Sequence, residues 1–424
     1  MSISNLTNLP PPTNGIYAYN TFIPTSGSFP ALAGTYVDPV FGETIRRLTN
    51  IGGGANGDEM YGHHWSNADG TFFFFYNSGV FNIRSTTTGA IVYAGQPGYS
   101  IDLAWHPTDP DKYYYWSGSA LVRRNLAAQT STTIHAFANA LQPLGGSQNW
   151  IDRTGRYFLL FFNNGTGIKI QVWDNTDQIL YAGEFATGAV TANGYVALSP
   201  DGQYLVIADG ASSPNGATLE ARLLNHTTHT IGSAHQFWNL CGDHGGIVSA
   251  SDGHTYMLTV ECFNTNGALY RVDVASVAGT IAQQIAAATP IGNVFPAGVC
   301  ANTHFSHISR GPFSDWVWVS MESTIDSING GITGWVALRQ EIFAVNLVTL
   351  EIRRFAHHRT RGTNYSAMPR VSSSWDGSMV LWFSNYNYAP VSTYGDVYGI
   401  NNPFGTGTPP DTTPPSAPTG VRIN

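Results

Sequence analysis

The sequence predicts an all-β protein, a β-propeller of seven blades with four antiparallel strands in each blade. Three observations support this prediction. A strand–turn–strand motif recurs seven times, the composition favours strands and tight turns, and a lone strand near residues 43–50 is available to complete the last blade.

The repeat consists of small or polar residues, a turn, and then a strongly apolar run. The first copy reads "SNADGTFFFFY" from Ser66. Successive turns are 42 to 63 residues apart, and they lie at Asp69, Asp111, Thr154, Asp201, Asp252, Asp315 and Asp376. Because one four-stranded blade takes about 40–50 residues, the shorter steps match single blades and the longer ones leave room for loops. Six or eight blades and a β-helix are the alternatives, and the repeat length favours the propeller.

Each turn is expected to join two strands, because Asp-Gly readily supplies the positive φ that a two-residue hairpin needs. The apolar run after it predicts a strand covered on both faces by neighbouring blades. A third strand often follows, but the last copy has no obvious fourth. We expect "ETIRRLTN" from Glu43 to provide it, which would close the ring and remove the exposed edges of an open sheet.

The composition excludes several classes of protein. Of the 424 residues, 42% are hydrophobic, 13% aromatic and only 11% charged, which argues against disorder. The net charge of −8, with 19 Lys and Arg and no basic run, argues against a nucleic-acid partner. No apolar stretch approaches the roughly 18 residues needed to span a membrane.

Three regions are predicted. Residues 1–36 carry no repeat and are expected to be extended, residues 37–404 form the propeller, and residues 405–424 form a Pro/Thr-rich linker. Within the linker, "PSAPTGVRI" resembles the first strand of a fibronectin type III module. Such modules commonly follow domains of secreted bacterial carbohydrate-active proteins, so we expect secretion, although the first residues do not read as a signal peptide.

Cys241, Cys262 and Cys300 allow one disulfide, with Cys241–Cys262 favoured and a thiolate ligand as the alternative.

Candidate site residues precede the turns, because the innermost strands of a propeller converge on the central channel. Five of the 13 histidines occupy such positions, in copies one, five and six: His63, His64, His244, His304 and His307. Arg370, from copy seven, is expected to lie between them. The imidazoles could bind a divalent metal (Mn, Zn or Ca), with His244, His304 and His307 as ligands. Alternatively, a His and a Tyr could act as base and acid, or the histidines could cap strands by hydrogen-bonding loop carbonyls.

The short hairpin motif resembles the repeats of TolB-like propellers, and the histidine-rich mouth resembles that of the oligogalacturonate and ulvan lyase propellers. The second resemblance implies cleavage of uronic-acid polymers by β-elimination. Arg370 or a metal would then neutralise the substrate carboxylate, one of His63, His64 and His244 would be the base, and Tyr61 or Tyr365 the acid.

Two other functions stay open. A non-catalytic lectin or adhesin would hold glycans on rim residues, namely Trp65, Trp105, Asn149, Trp150 and Trp238. A glycoside hydrolase would need two facing carboxylates, and no pair stands out in the sequence. In each case the expected partner is a polysaccharide or oligosaccharide, and a monomer is expected.

Overall fold

A computed structural model describes residues 30–50, 64–77, 79–98, 103–141, 147–163, 168–183, 185–186, 196–209, 218–238, 245–261, 268–277, 279–293, 303–321, 337–360, 369–385 and 395–405. These residues form seven antiparallel sheets arranged as the blades of a β-propeller, which confirms the predicted fold class. No helix in this part of the chain has the length and apolar character needed to cross a membrane.

Each blade is numbered by its sequence repeat, and the first two strands in the described part of the chain belong to blade 7. These are β1 (Thr35–Val37) and β2 (Thr44–Arg47). Blade 1 contains β3 (Phe72–Asn77), β4 (Val80–Ser85) and β5 (Ile91–Tyr93). On the inner side of β3, Ser66 forms a single antiparallel β-bridge with Phe73. Blade 2 contains β6 (Ala104–Trp105), β7 (Lys112–Ser117), β8 (Ala120–Asn125) and β9 (Thr130–Ala136).

Blades 3 and 4 have split outer strands. Blade 3 contains β10 (Ala140–Leu141), β11 (Ser147–Asn149), β12 (Tyr157–Asn163), β13 (Ile168–Asp174), β14 (Ile179–Leu180) and β15 (Phe185–Ala186). Blade 4 contains β16 (Val196–Leu198), β17 (Tyr204–Asp209), β18 (Thr218–Asn225), β19 (Thr230–Ile231) and β20 (His235–Trp238). β11 pairs in parallel with β16, the one exception to antiparallel pairing among these strands, and the bridge from Ile151 to Phe158 connects the same segment to blade 3. This segment therefore joins blades 3 and 4 directly.

Blades 5 to 7 complete the ring. Blade 5 contains β21 (Gly246–Ser249), β22 (Thr255–Glu261), β23 (Ala268–Asp273), α1 (Ile281–Ala287) and β24 (Thr289–Asn293). Blade 6 contains β25 (Thr303–His307), β26 (Trp316–Met321), β27 (Glu341–Asn346) and β28 (Ile352–His357). Blade 7 contains β29 (Ser372–Ser373), β30 (Met379–Ser384) and β31 (Asp396–Asn401), followed outward by β2 and β1.

The ring is closed by the N-terminal strand, as the sequence predicted. β2 pairs with β31, so residues near the two ends of the propeller share one sheet. Arg47 donates to Asp396 Oδ2 from Nε at 3.0 Å and from Nη2 at 2.6 Å, and Thr49 Oγ1 donates to Asp396 Oδ1 at 2.7 Å. Both ionic side chains are at most 5% exposed. This buried ion pair therefore links β2, near the start of the propeller, to β31, the last strand of blade 7.

Contacts between neighbouring turns link several pairs of successive blades. Asn67 Nδ2 donates to the carbonyl of Pro110, which links blades 1 and 2. The same kind of link joins later neighbours, through Arg153 N to Pro200 O, Asp201 N to Ser249 Oγ, Ser251 N to Asp315 Oδ1, and Ser309 N to Trp375 O. Between blades, aromatic rings fill the core, as where Phe74 stacks on Trp105 with centroids 4.1 Å apart.

The Asp-Gly turns have the predicted positive φ. Gly70, Gly202, Gly253 and Gly377 have φ angles from 71° to 89°. In copies two and six no Gly follows the turn Asp, and Lys112 or Trp316 stands there instead. Glycine is therefore used where the hairpin requires the left-handed region, which other residues rarely adopt.

Two of these glycines provide a stability test with an internal control. A Cβ at Gly377 would lie 2.6 Å from Cδ1 of the buried Ile308, whereas a Cβ at Gly253 would meet nothing within 4 Å. We expect Gly253→Ala to lower the free energy of unfolding by about 1 kcal/mol from backbone strain alone. Gly377→Ala should cost about 2–3 kcal/mol because the clash adds to that strain. Urea denaturation measures both, and equal losses would contradict the assigned contact.

Candidate functional site

Strand pairing brings His304 and Arg370 to the same end of blades 6 and 7. His304 pairs with Ser320, and Ser320 in turn pairs with Ile342 in β27. The hydroxyl of Ser320 donates to the carbonyl of Pro369 and accepts from the backbone N–H of Val371 at 3.1 Å. In the sequence, Arg370 lies between Pro369 and Val371, the two residues that contact Ser320. The backbone of Arg370 is therefore next to Ser320, whose partner on the inner strand β25 is His304.

Other basic side chains occupy the same end of blade 6. Arg339 precedes β27, and His358 and Arg359 follow β28, whose last residue pairs with the first residue of β27. The backbone N–H of His358 donates to the carbonyl of Gln340 at 3.1 Å, which holds these two strand ends together. We define His304, Arg339, His358, Arg359 and Arg370 as the basic cluster. Each member is at most 3% exposed.

Three buried carboxylates lie around the basic cluster, and each has a basic partner of its own. Glu341 pairs with Arg354 at 2.6 Å, and Asp396 pairs with Arg47. Asp38 accepts from the backbone N–H of His357 at 3.1 Å, and its carboxylate lies 3.4 Å from Nδ1 of that ring. Arg339 and Arg370 bring two further guanidinium groups to this end.

Burial and neighbouring charges lower the pKa values of three side chains at this end. Burial works to raise the pKa of Asp38, but the charge and hydrogen bonds of His357, together with Arg359, lower it to about 2. Burial lowers the pKa of His358 to about 3, so its imidazole is neutral at pH 7. Burial also lowers the pKa of Arg339. Asp38 is thus ionised at neutral pH.

His64 lies in the central channel with both ring nitrogens engaged. Nδ1 donates to the carbonyl of Ser373 at 3.1 Å, because a carbonyl oxygen only accepts. Nε2 lies 2.9 Å from the hydroxyl of Ser309, from which the neutral ring accepts. The ring contacts Trp375 at a centroid distance of 4.1 Å. His64 therefore ties blade 1 to blades 6 and 7, and its geometry is that of a strand cap.

His307 lies near His64 and away from His304. The His64 and His307 rings are edge-to-face with centroids 5.2 Å apart, and burial lowers the pKa of His307 to about 4. His304 and His307 are three residues apart on β25, so they project from opposite faces of the strand. For that reason, these two imidazoles do not converge on one metal ion.

The remaining predicted residues fall into two groups. Tyr61, His63, His244 and Tyr365 lie outside the described residues, as do Cys241, Cys262, Cys300 and the fibronectin-like segment. Trp65, Trp105, Asn149, Trp150 and Trp238 are at most 4% exposed. Because protein covers the faces of these four indoles, we do not propose them as sugar-stacking residues.

Sequence reasoning missed Arg339, His358 and Arg359. They lie at the ends of β27 and β28, whereas the search covered positions before the inner strands. The run "FAHHRTR" from Phe355 was the available signal, because consecutive basic residues after an apolar strand mark the end of that strand as positively charged.

One group of potential metal ligands is present among the described residues. Asp174, Asp177 and His229 offer ligand atoms within 4.8 Å of one another, a donor set that fits a divalent cation. Arg156 Nη2 already donates to Asp174 at 2.8 Å and to Asp177 at 2.9 Å. The group lies at the turn end of blades 3 and 4 and does not include the predicted histidine ligands.

Among solved structures, oligogalacturonate lyases share this fold at low sequence identity. An oligogalacturonate lyase from Vibrio parahaemolyticus is 10% identical, with a TM-score of 0.53, and the match covers 87% of this chain and 96% of that one. An oligogalacturonate lyase in complex with manganese is 11% identical, with a TM-score of 0.55 and the same coverage. TolB from Acinetobacter baumannii is 13% identical over 65% of this chain and 59% of its own, with a TM-score of 0.35. No protein-family model matches the chain, and no curated protein matches it. The likeness to the lyases is one of fold.

Proposed function

We propose that this protein is a polysaccharide lyase that cleaves uronic-acid-containing glycans by β-elimination at the blade 6–7 end of the propeller. The observation that carries the proposal is the basic cluster, which places buried guanidinium and imidazole groups at one end of blades 6 and 7, with His304 on the inner strand β25 and Arg370 just before β29. Guanidinium and imidazole groups suit a carboxylate ligand, and because each of these side chains is at most 3% exposed, the proposal requires that they become accessible to the glycan. The shared fold with oligogalacturonate lyases over 87% of the chain supports the same substrate class.

The proposed reaction has three requirements. Arg370 pairs with the uronate carboxylate and so stabilises the negative charge that develops when the C5 proton leaves. A base removes that proton, the electron pair forms the C4–C5 double bond, and an acid protonates the departing glycosidic oxygen. His304, beside Arg370, and the predicted His63 and His244 are the candidate bases. Tyr61 or Tyr365 is the candidate acid, whereas His64 is unsuited because both its ring nitrogens are engaged.

A metal is not assigned a step in this reaction. Within the described residues, the blade 6–7 end offers imidazoles among several guanidinium groups, which repel a divalent cation. Asp174, Asp177 and His229 fit a cation better but lie at the turn end of other blades. We further propose that the protein acts outside the cell, with the Pro/Thr-rich tail as a tether.

The test is a change at Arg370. We expect Arg370→Ala to lower kcat/KM on polygalacturonate or another uronic-acid polymer by about 100-fold, because one charge-assisted contact to the transition state is lost. Arg370→Lys should recover part of the activity, since an ammonium keeps the charge without the bidentate geometry. Absorbance near 235 nm reports the unsaturated ends. Arg123→Ala, which removes the same charge from β8 in blade 2, should leave the rate unchanged.

The same assay separates the alternatives. New reducing ends without absorbance would indicate a glycoside hydrolase, and retention of the glycan without cleavage would indicate a lectin or adhesin. A wild-type rate in Arg370→Ala would remove that residue from the mechanism.

A further inference from the structure

The strand β26 of blade 6 carries a polar residue on a face that is otherwise aromatic. Trp316 and Trp318 lie on the face of β26 that packs against blade 7, in one core cluster with Trp382 of β30. Because side chains alternate along a strand, Ser320 points to the same face as these two indoles. Ser320 is 0% exposed. Its hydroxyl therefore needs hydrogen-bond partners inside the protein.

The hydroxyl of Ser320 has both its partners in the segment of blade 7 that carries Arg370. It donates to the carbonyl of Pro369 and accepts from the backbone N–H of Val371 at 3.1 Å. These two groups belong to the two peptide units that flank the Cα of Arg370. Because each peptide unit is planar, holding both of them fixes the backbone torsions of Arg370.

Blade 6 holds the same segment at a second point. Ser306 on β25 accepts from the backbone N–H of Ser373 at 3.0 Å, so the side chain of Ser306 points toward blade 7. His304, two residues earlier on β25, lies on the same face of the strand. His304 is also the cross-strand partner of Ser320. Blade 6 therefore supplies both a candidate base and the hydroxyl that holds the backbone of Arg370.

A single atom that both donates and accepts is needed to make the two contacts of Ser320. Alanine at this position would leave the N–H of Val371 and the carbonyl of Pro369 without this partner, and both residues are buried. The segment would then move to satisfy these groups. A displacement of about 1 Å at a group that binds substrate can lower a rate by about 100-fold.

We infer that Ser320 is a positioning residue, which fixes the backbone of Arg370 so that the guanidinium meets the uronate carboxylate. This inference rests on the proposed function, in which Arg370 binds that carboxylate. Ser320 acts through Arg370 and needs no contact of its own with the glycan.

A double-mutant cycle tests the inference by the absorbance assay near 235 nm, on the uronic-acid polymer that the native protein cleaves. We expect Ser320→Ala to lower kcat/KM by about 10-fold. In the Arg370→Ala background the same change should have almost no further effect, because the guanidinium whose position it sets is absent. Losses that multiply in the double variant would overturn the inference.

Ser306→Ala is the matched control. It removes a hydroxyl that is also 0% exposed and that accepts from a backbone N–H of the same segment, three residues beyond Arg370. Ser306→Ala should lower the melting temperature by about as much as Ser320→Ala and leave kcat/KM close to the native value. An equal loss of kcat/KM in the two variants would mean that Ser320 only stabilises the fold.

Amide hydrogen exchange reports the contact without any activity. The N–H of Val371 should exchange faster in Ser320→Ala than in the native protein, and an unchanged rate would overturn the inference. The outcomes also separate the two proposals. A native rate in Arg370→Ala contradicts the proposed function and removes this inference with it. A large loss in Arg370→Ala with a native rate in Ser320→Ala contradicts only this inference.

Discussion

Replacing Arg354 with methionine is expected to lower the free energy of unfolding by about 3–5 kcal/mol. Arg354 donates to Glu341 from Nε and from Nη2, each at 2.6 Å, and the two side chains are 0% and 1% exposed. Methionine fills much of the same volume but leaves the Glu341 carboxylate in the core without its bidentate partner. Most of the loss in stability comes from leaving the buried Glu341 carboxylate without a compensating charge, and less of it from losing the attraction between Glu341 and Arg354.

Two further variants separate this cause from a general effect of losing a cation. Lys112→Met breaks a partly exposed pair with Asp109, in which the two side chains are 27% and 33% accessible, and should cost less than about 1 kcal/mol. The double variant Glu341→Leu/Arg354→Met should recover most of the lost stability, because no buried charge remains. Urea denaturation measures all three. A double variant no more stable than Arg354→Met would show that shape, and not charge, dominates.

The blades could be predicted from the sequence because their signals are local. An Asp-Gly turn followed by a run such as "FFFFY" specifies a hairpin and a strand covered on both faces within about ten residues. Ring closure by residues 43–50 could also be predicted, because the last repeat lacks a fourth strand and this segment is an unassigned strand before the first repeat. The Arg47–Asp396 pair that fastens this closure has no local signal, because the two residues are 349 positions apart.

The candidate site was harder to predict, because it depends on strand faces and on pairing between distant strands. The sequence places Trp105 and Trp150 near the channel, but their rings turn into the packing between blades. The His304-to-His307 spacing resembles a ligand pair, yet an odd separation on a strand puts the two imidazoles on opposite faces. His358 and Arg359 join the basic cluster through the pairing of β28 with β27, which the sequence does not specify.

Acid is expected to unfold the protein in a window set by buried neutral histidines. Burial lowers the pKa of His307 to about 4 and that of His358 to about 3, whereas the unfolded chain titrates near 6.5. The folded state therefore binds fewer protons than the unfolded state below pH 6.5. Stability from these groups is fully present above that pH and is lost as the pH falls toward 4. The charged group that acts on His358 besides burial is His357, which lowers its pKa further. Asp38, next to His357, stays ionised across this range because its pKa is about 2.

The size of the effect follows from proton linkage. Each histidine that protonates only on unfolding changes the free energy of unfolding by about 1.4 kcal/mol per pH unit, so the two together give roughly 3 kcal/mol per unit between pH 5.5 and 4.5. Urea denaturation at pH 7.5, 6.5, 5.5 and 4.5 measures this slope. His307→Asn and His358→Gln should each remove about half of it. His254→Gln, at a side chain 54% exposed, is the control for the loss of a histidine that is not buried. A slope that persists in His307→Asn/His358→Gln would mean that other groups take up the protons, and the buried imidazoles would then not account for the acid sensitivity.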